Sequence, residues 1–159
     1  MRRIATILLA AALLGFAGVR IRRALASPEQ TLRWTLSELA EDFNAGDVGS
    51  VASGFHRDFR DESSGAGFDD VGAALRGLYL QERDKTGFLL RVELPEDLLS
   101  VEVAEGANSA TVEATARFFR MRGGAQEPWW DAQARLTFVR QSGRWRIAES
   151  SRVNHGDRD

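Results

Sequence analysis

Hydrophobic and polar positions along the chain fall into three regimes: an unbroken apolar run, then a helical period, then a strand-like alternation. The helical period begins at Ser27. Ser27 can cap, Pro28 suits the first helical position, and Gln30 stands three residues after the cap, as a capping box requires. Leu32, Leu36, Leu39, Ala40 and Phe43 then recur on one helical face, with Trp34 off that stripe, until Asn44-Ala45-Gly46 ends the pattern. Asp47 caps a second, shorter helix through Val48, Val51, Ala52 and Phe55, against the weakening effect of Gly49 and Gly54. Carried on into residues 55–61, the helical period sets Phe55 and Phe59 four apart. Glu62 to Gly67 reads as a loop, and Phe68 and Asp69 open a third helix that turns Val71, Leu75, Leu78 and Tyr79 inward.

After Gly87 the period drops to two. Phe88, Leu90, Val92 and Leu94 alternate with Leu89, Arg91 and Glu93, and Leu99, Val101 and Val103 make a second strand. Along residues 110–120, Ala110, Val112, Ala114, Ala116 and Phe118 share one face and Thr111, Glu113, Thr115 and Arg117 the other. Gly123-Gly124 and Pro128 mark a turn. Beyond it Trp130, Ala132, Ala134, Leu136 and Phe138 face inward along residues 129–140. Gln141-Ser142-Gly143-Arg144 reads as a hairpin turn into a last strand bearing Trp145, Ile147 and Val153. The expected fold is α+β, a curved antiparallel sheet wrapped around three N-terminal helices, because only the helical half can cover the sheet's apolar face. The small side chains of Ala110, Ala114, Ala116, Ala132 and Ala134 leave room at the centre of such a cone.

The unbroken run, Ile4–Val19, is 16 residues without a charge. As a helix it rises about 24 Å against about 30 Å of hydrocarbon, a gap that Ile21 narrows if Arg20 snorkels. Arg2 and Arg3 precede it, and Ala24-Leu25-Ala26 has the small-x-small spacing of a signal cleavage site, although Arg20, Arg22 and Arg23 intervene. The chain thus divides into residues 1–26, a signal anchor or signal peptide, residues 27–153, one domain, and residues 154–159, a flexible polar tail. The expectation is a membrane-associated chain with a single N-terminal anchor, or alternatively a domain exported after cleavage. Residues 27–159 hold 16 basic and 23 acidic side chains, a net charge of −7, which argues against a broad nucleic-acid surface. Cysteine is absent, so disulfides, thiolate nucleophiles and cysteine-ligated metals are excluded.

Three stretches carry a resemblance. They are Phe43-Asn44-Ala45-Gly46-Asp47-Val48, Phe55-His56-Arg57-Asp58-Phe59, and Leu136-Thr137-Phe138-Val139-Arg140 followed by Gly143-Arg144-Trp145-Arg146-Ile147. Over residues 28–153 the chain resembles the nuclear-transport-factor-2-like superfamily of cystatin-like α+β cones, especially its small polyketide-cyclase-like and ketosteroid-isomerase-like bacterial members. The resemblance implies a cone whose interior, in catalytic members, holds an aspartate or an Asp–His pair, with Tyr or acid groups stabilising an enolate or alkoxide. The superfamily also includes ligand-binding, dimerising and secretion-accessory domains, so the fold does not choose a function.

Asp58, Tyr79 and His56 are the residues of this chain that could supply such chemistry. On a helix, His56 and Asp58 diverge by about 200°, and no inward acid interrupts residues 110–118 or 130–138. Phe55, Phe59, Tyr79, Phe118, Trp130 and Trp145 are expected to line a cavity or a core. No metal set is expected: Asp58, Asp61 and Glu62 lack the spacing of a calcium loop, and His155 stands in the tail. Gly65-Ala66-Gly67 is no phosphate-binding fingerprint, and no cofactor is expected. Arg135, Arg140, Arg144 and Arg146 make a locally basic edge, read first as a solvated strand face and second as a partner surface. Two classes of function remain open. One is a non-enzymatic ligand-binding or assembly module at the membrane, taking an apolar small molecule or a protein partner, a homodimer through the sheet included. The other is a small cofactor-independent isomerase, dehydratase or cyclase acting in the cone.

Overall fold

The computed structural model describes residues 26–153. Ile4–Val19 and the tail 154–159 lie outside the described residues, within which no helix is long and apolar enough to cross a membrane. Helix α1 (Pro28–Ala45) starts as its first residues dictate. Ser27 Oγ accepts the Gln30 N–H at 3.1 Å, and Gln30 Oε1 accepts the Ser27 N–H at 3.1 Å. It stops at Gly46, whose φ of 72° lies in the left-handed region. A side chain there would also stand 2.7 Å from Cε2 of Tyr79, so glycine is required by contact as well as by conformation. Asp47 caps α2 (Val48–Ser53) by accepting the Ser50 N–H at 3.0 Å.

The helical period ends there, earlier than the sequence pattern suggests. Phe55–Asp61 is a strand, β1, and not a continuation of helix. It runs parallel to the last strand, β8 (Arg144–Arg152), while every other pairing among the described residues is antiparallel. A helix as short as α2, holding Gly49 and closed by Gly54, has little tendency to extend. Pairing with β8, led by the Ile147 N–H donating to Gly54 O at 2.9 Å, supplies the backbone partners instead. Helix α3 (Phe68–Gln81) follows, its first turn closed by Asp70 accepting the Gly67 N–H at 2.9 Å.

The remaining strands are β2 (Arg83–Asp84), β3 (Gly87–Phe88), β4 (Leu90–Glu93), β5 (Leu99–Val103), β6 (Ser109–Arg122) and β7 (Ala125–Gln141). The main sheet runs β1-β8-β7-β6-β4, with β5 also on β6. Both central hairpins turn on two residues of positive φ, Gly123-Gly124 and Ser142-Gly143, which fit the right-handed twist of the flanking strands. Pro128 lies within β7 and not in the turn. There Phe118 faces Trp130 and Phe119 faces Pro128, which leaves Trp129 as the extra residue of a bulge. The register matches the alternation in the sequence: Ala110 opposes Phe138, Val112 opposes Leu136, and Phe138 opposes Ile147. Leu32, Leu36, Phe59, Ala110, Val112, Phe138, Trp145 and Ile147 form the core between α1 and the sheet. No polar or charged residue is buried among the described residues.

Candidate functional site

The end of the cone beyond this core is closed by aromatic rings in series. Tyr79 of α3 meets Phe88 of β3 at 5.5 Å, Phe88 meets Phe43 of α1 at 5.4 Å, and Phe43 meets Phe118 of β6 at 5.7 Å. Phe118 then stacks on Trp130 of β7 at 5.4 Å with the rings 21° apart. Edge and offset contacts at these distances are the favoured aromatic geometries, and the series crosses the cone from its helical wall to the sheet. What space remains beside Phe43, Gly46, Tyr79 and Phe88 is about 10 Å³, the room of about one water molecule. Of the small side chains on β6 and β7, Ala110 is buried in the core with Leu32 and Leu36, and Ala114 packs against that core.

The residues expected to line a cavity or a core are divided between two places, the core and the aromatic series. Phe55 and Phe59 pack edge to face at 5.0 Å against the core near β1. Tyr79, Phe118 and Trp130 belong to the aromatic series, where Trp130 remains 58 % exposed on its outer side. Trp145 is buried in the core, and its Nε1 donates to Thr31 Oγ1 at 3.0 Å.

His56 and Asp58 lie together, for a reason opposite to the helical projection. In strand β1, residues two apart share a side, and the Asp58 N–H donates to His56 Nδ1 at 3.2 Å, with the Asp58 carboxylate 3.7 Å from that nitrogen. The Asp58 side chain is 92 % exposed and faces solvent, whereas the His56 side chain is 22 % exposed. Asp61 closes a turn: it accepts from Ser150 Oγ at 2.6 Å and from Ser64 N at 2.7 Å. The Ser150 hydroxyl is the main cause that holds its carboxyl below the usual carboxylate range. No group of side chains suited to a metal ion occurs among the described residues.

Sequence reasoning missed three features. Asn44, at the end of α1, donates to Val92 O at 3.0 Å and accepts the Val92 N–H at 2.6 Å, so one amide serves the edge of β4 as a strand neighbour would. Arg120 bridges Glu82 and the Trp129 ring, 5.3 Å from its centroid. Trp129 and Trp130 are both exposed where β7 extends past β8. Only the Trp129-Trp130 pair left a signal in the sequence, masked by the adjacent Pro128. Of the basic edge, Arg135 pairs with Glu113 at 2.9 Å on the outer sheet face.

No family model matches the chain, and no curated protein does. Solved structures do. Aln2 from a Streptomyces species superposes with a TM-score of 0.65 at 20 % identity, covering 80 % of this chain and 91 % of its own. An NTF2-like protein with a cystatin-like fold from Novosphingobium aromaticivorans gives 0.63 at 17 % identity, over 89 % of this chain and 92 % of that one. An NTF-2-like protein of unknown function from Shewanella oneidensis gives 0.57 at 18 % identity, over 79 % and 98 %. The chain has the NTF2-like, cystatin-like α+β fold; at these identities the likeness speaks for the fold alone.

Proposed function

We propose that this protein is a non-enzymatic assembly module, held at a membrane by Ile4–Val19, that pairs with a second copy of itself through the far end of the β6–β7 hairpin. The observation that carries the proposal is the closed cone. Where Tyr79, Phe88, Phe43 and Phe118 pack in series, the space left beside them is about 10 Å³, too small for a substrate, and the candidate base Asp58 faces water. Two of the four exposed large apolar side chains among the described residues, Trp129 and Trp130, are adjacent on the hairpin. Along the same stretch the edge of β7 is open: β8 pairs with β7 only from Ala134 to Gln141, so among the described residues 125–133 have a strand neighbour on one side alone. A second copy that lays its own β7 against this edge would satisfy the backbone and cover the indoles together.

Sedimentation velocity of the full chain in uncharged detergent micelles tests this. The expected result is a concentration-dependent dimer that Trp129→Ala with Trp130→Ala reduces to a monomer with unchanged circular dichroism. A chain ending at Val153 is the control, since β8 leads toward this edge, and it should still dimerise. A monomer at all concentrations, or dimerisation untouched by the two substitutions, would contradict the proposal.

A further inference from the structure

A surface groove of about 380 Å³ lies outside the packed interior, between α1, α2 and the β7–β8 hairpin. We infer that it binds a small zwitterion, a primary ammonium and a phosphate or carboxylate group a few ångströms apart, as on an aminophospholipid headgroup. The inference concerns a different face from the proposed dimer edge and does not depend on it.

Hydrogen-bonding capacity in the groove is divided by wall. On the helical side, Trp34, Glu38 and Asp42 stand four apart along α1 and so share one stripe. The hydroxyls beside them have already spent their hydrogens: Thr35 donates to Thr31 O at 3.0 Å, Ser50 to Asp47 Oδ2 at 2.8 Å, and Ser53 to Ser50 O at 2.8 Å. What these oxygens and the Asp42 carboxylate present to a ligand is lone pairs only. On the hairpin side the groove is lined by Arg140, Arg144 and Arg146, whose guanidinium groups can only donate. Arg146 is tied to the Ser53 carbonyl, and Arg140 lies 5.7 Å over the Trp145 ring. Arg144 and Asp42 have no side-chain partner among the described residues.

A lone anion drawn to Arg144 would also meet Asp42, and a lone cation drawn to Asp42 would meet Arg144. A neutral sugar would hydrogen-bond both walls but neutralise neither charge, and so forgoes the stronger charge-assisted bonds on both sides. A dipolar ligand matches both walls: its N–H groups meet acceptors, its oxygens meet guanidinium, and the exposed Trp34 ring offers a face to the ammonium. The groove opens one turn into α1, with Thr31 four residues after Ser27. A chain held by Ile4–Val19 would keep it near lipid headgroups, whereas free phosphoethanolamine carries the same chemistry in solution.

Isothermal titration calorimetry of the full chain in uncharged detergent micelles, with phosphoethanolamine as probe, tests the site. Saturable binding is expected with a dissociation constant of about 1 mM or tighter. Asp42→Asn and Arg144→Gln should each weaken it about tenfold or more, and glycerol phosphate or ethanolamine alone should bind far less. The overturning results are no saturation by about 10 mM, an equal response to glycerol phosphate or to a neutral sugar, or binding that survives both substitutions. Reconstitution into phosphatidylcholine vesicles with and without phosphatidylethanolamine separates the two sources. Loss of phosphoethanolamine binding only in the mixed vesicles supports the lipid headgroup, and its retention supports a soluble zwitterion. A quaternary ammonium has no N–H for the acceptor wall, so phosphatidylcholine alone should not compete.

Discussion

Residue by residue, what was legible in the sequence is what depends on neighbours a few positions away. Ser27 with Gln30, Asp47 with Ser50, and Gly46 at the helix end all act locally, and all are found as the pattern implies. Trp145 was legible too, since alternation with Ile147 sets it inward. Asn44 was not: its partner, Val92, is 48 positions away, and nothing in a short polar side chain announces that it will stand in for a strand. Asp61 is a case where a residue weighed for chemistry serves a turn. Its carboxyl is held low chiefly by the Ser150 hydroxyl and then by Ser64, so the charged form is favoured in the folded protein. A depressed folded value means the stabilisation is full above the unfolded value near 3.9 and is lost as pH falls through the folded one. Urea titrations across pH should therefore find wild type more stable than Asp61→Asn near neutrality, with the difference shrinking below about pH 4. A gap that widens on acidification would contradict this assignment.

At the scale of elements, periodicity located α1, α3, β5, β6 and β8 and misjudged two stretches, Phe55–Asp61 and the start of β7 at Pro128. Phe55–Asp61 carries apolar residues four apart, a spacing that serves a helix and also one face of a strand, where positions two and four apart align. The choice between them was made by β8, a parallel partner distant in sequence: Ser150, which pairs with Asp61, lies 89 positions away. That same switch brought His56 and Asp58 together and left the Asp58 carboxylate in solvent. Pro128 misled for a related reason, because proline ends a central strand but is accommodated at a bulge near an open edge. The junction between α1 and β4 is the element contact most open to test. Asn44→Ala leaves the Val92 N–H and C=O without their partner, and the expected loss is about 1–3 kcal/mol in denaturant titrations. Stability within experimental error of wild type would show that water replaces the amide there at no net cost.

For the whole molecule, the alanines along β6 and β7 predicted room; Ala110 is taken into the core with the leucines of α1, and rings from α1, α3 and β3 pack in series beyond it. Composition shows how many aromatic residues a chain has but not that a series of them lines up, which needs the tertiary arrangement. The consequence is little space beside those rings and a hairpin that carries its indoles outside. Residues 125–133 of β7 are where the proposed dimer forms, being open at the edge and bearing two of the three exposed indoles among the described residues. Hydrogen exchange of the full chain in uncharged micelles, followed by mass spectrometry at low and high protein concentration, reads that edge directly. Peptides covering residues 125–133 should gain protection as concentration rises, while those covering Leu32–Phe43 and Val112–Phe118 should not change. Exchange at 125–133 that is independent of concentration, or protection that appears instead in the core peptides when an apolar ligand is added, would show that the cone, and not the hairpin, is the working surface.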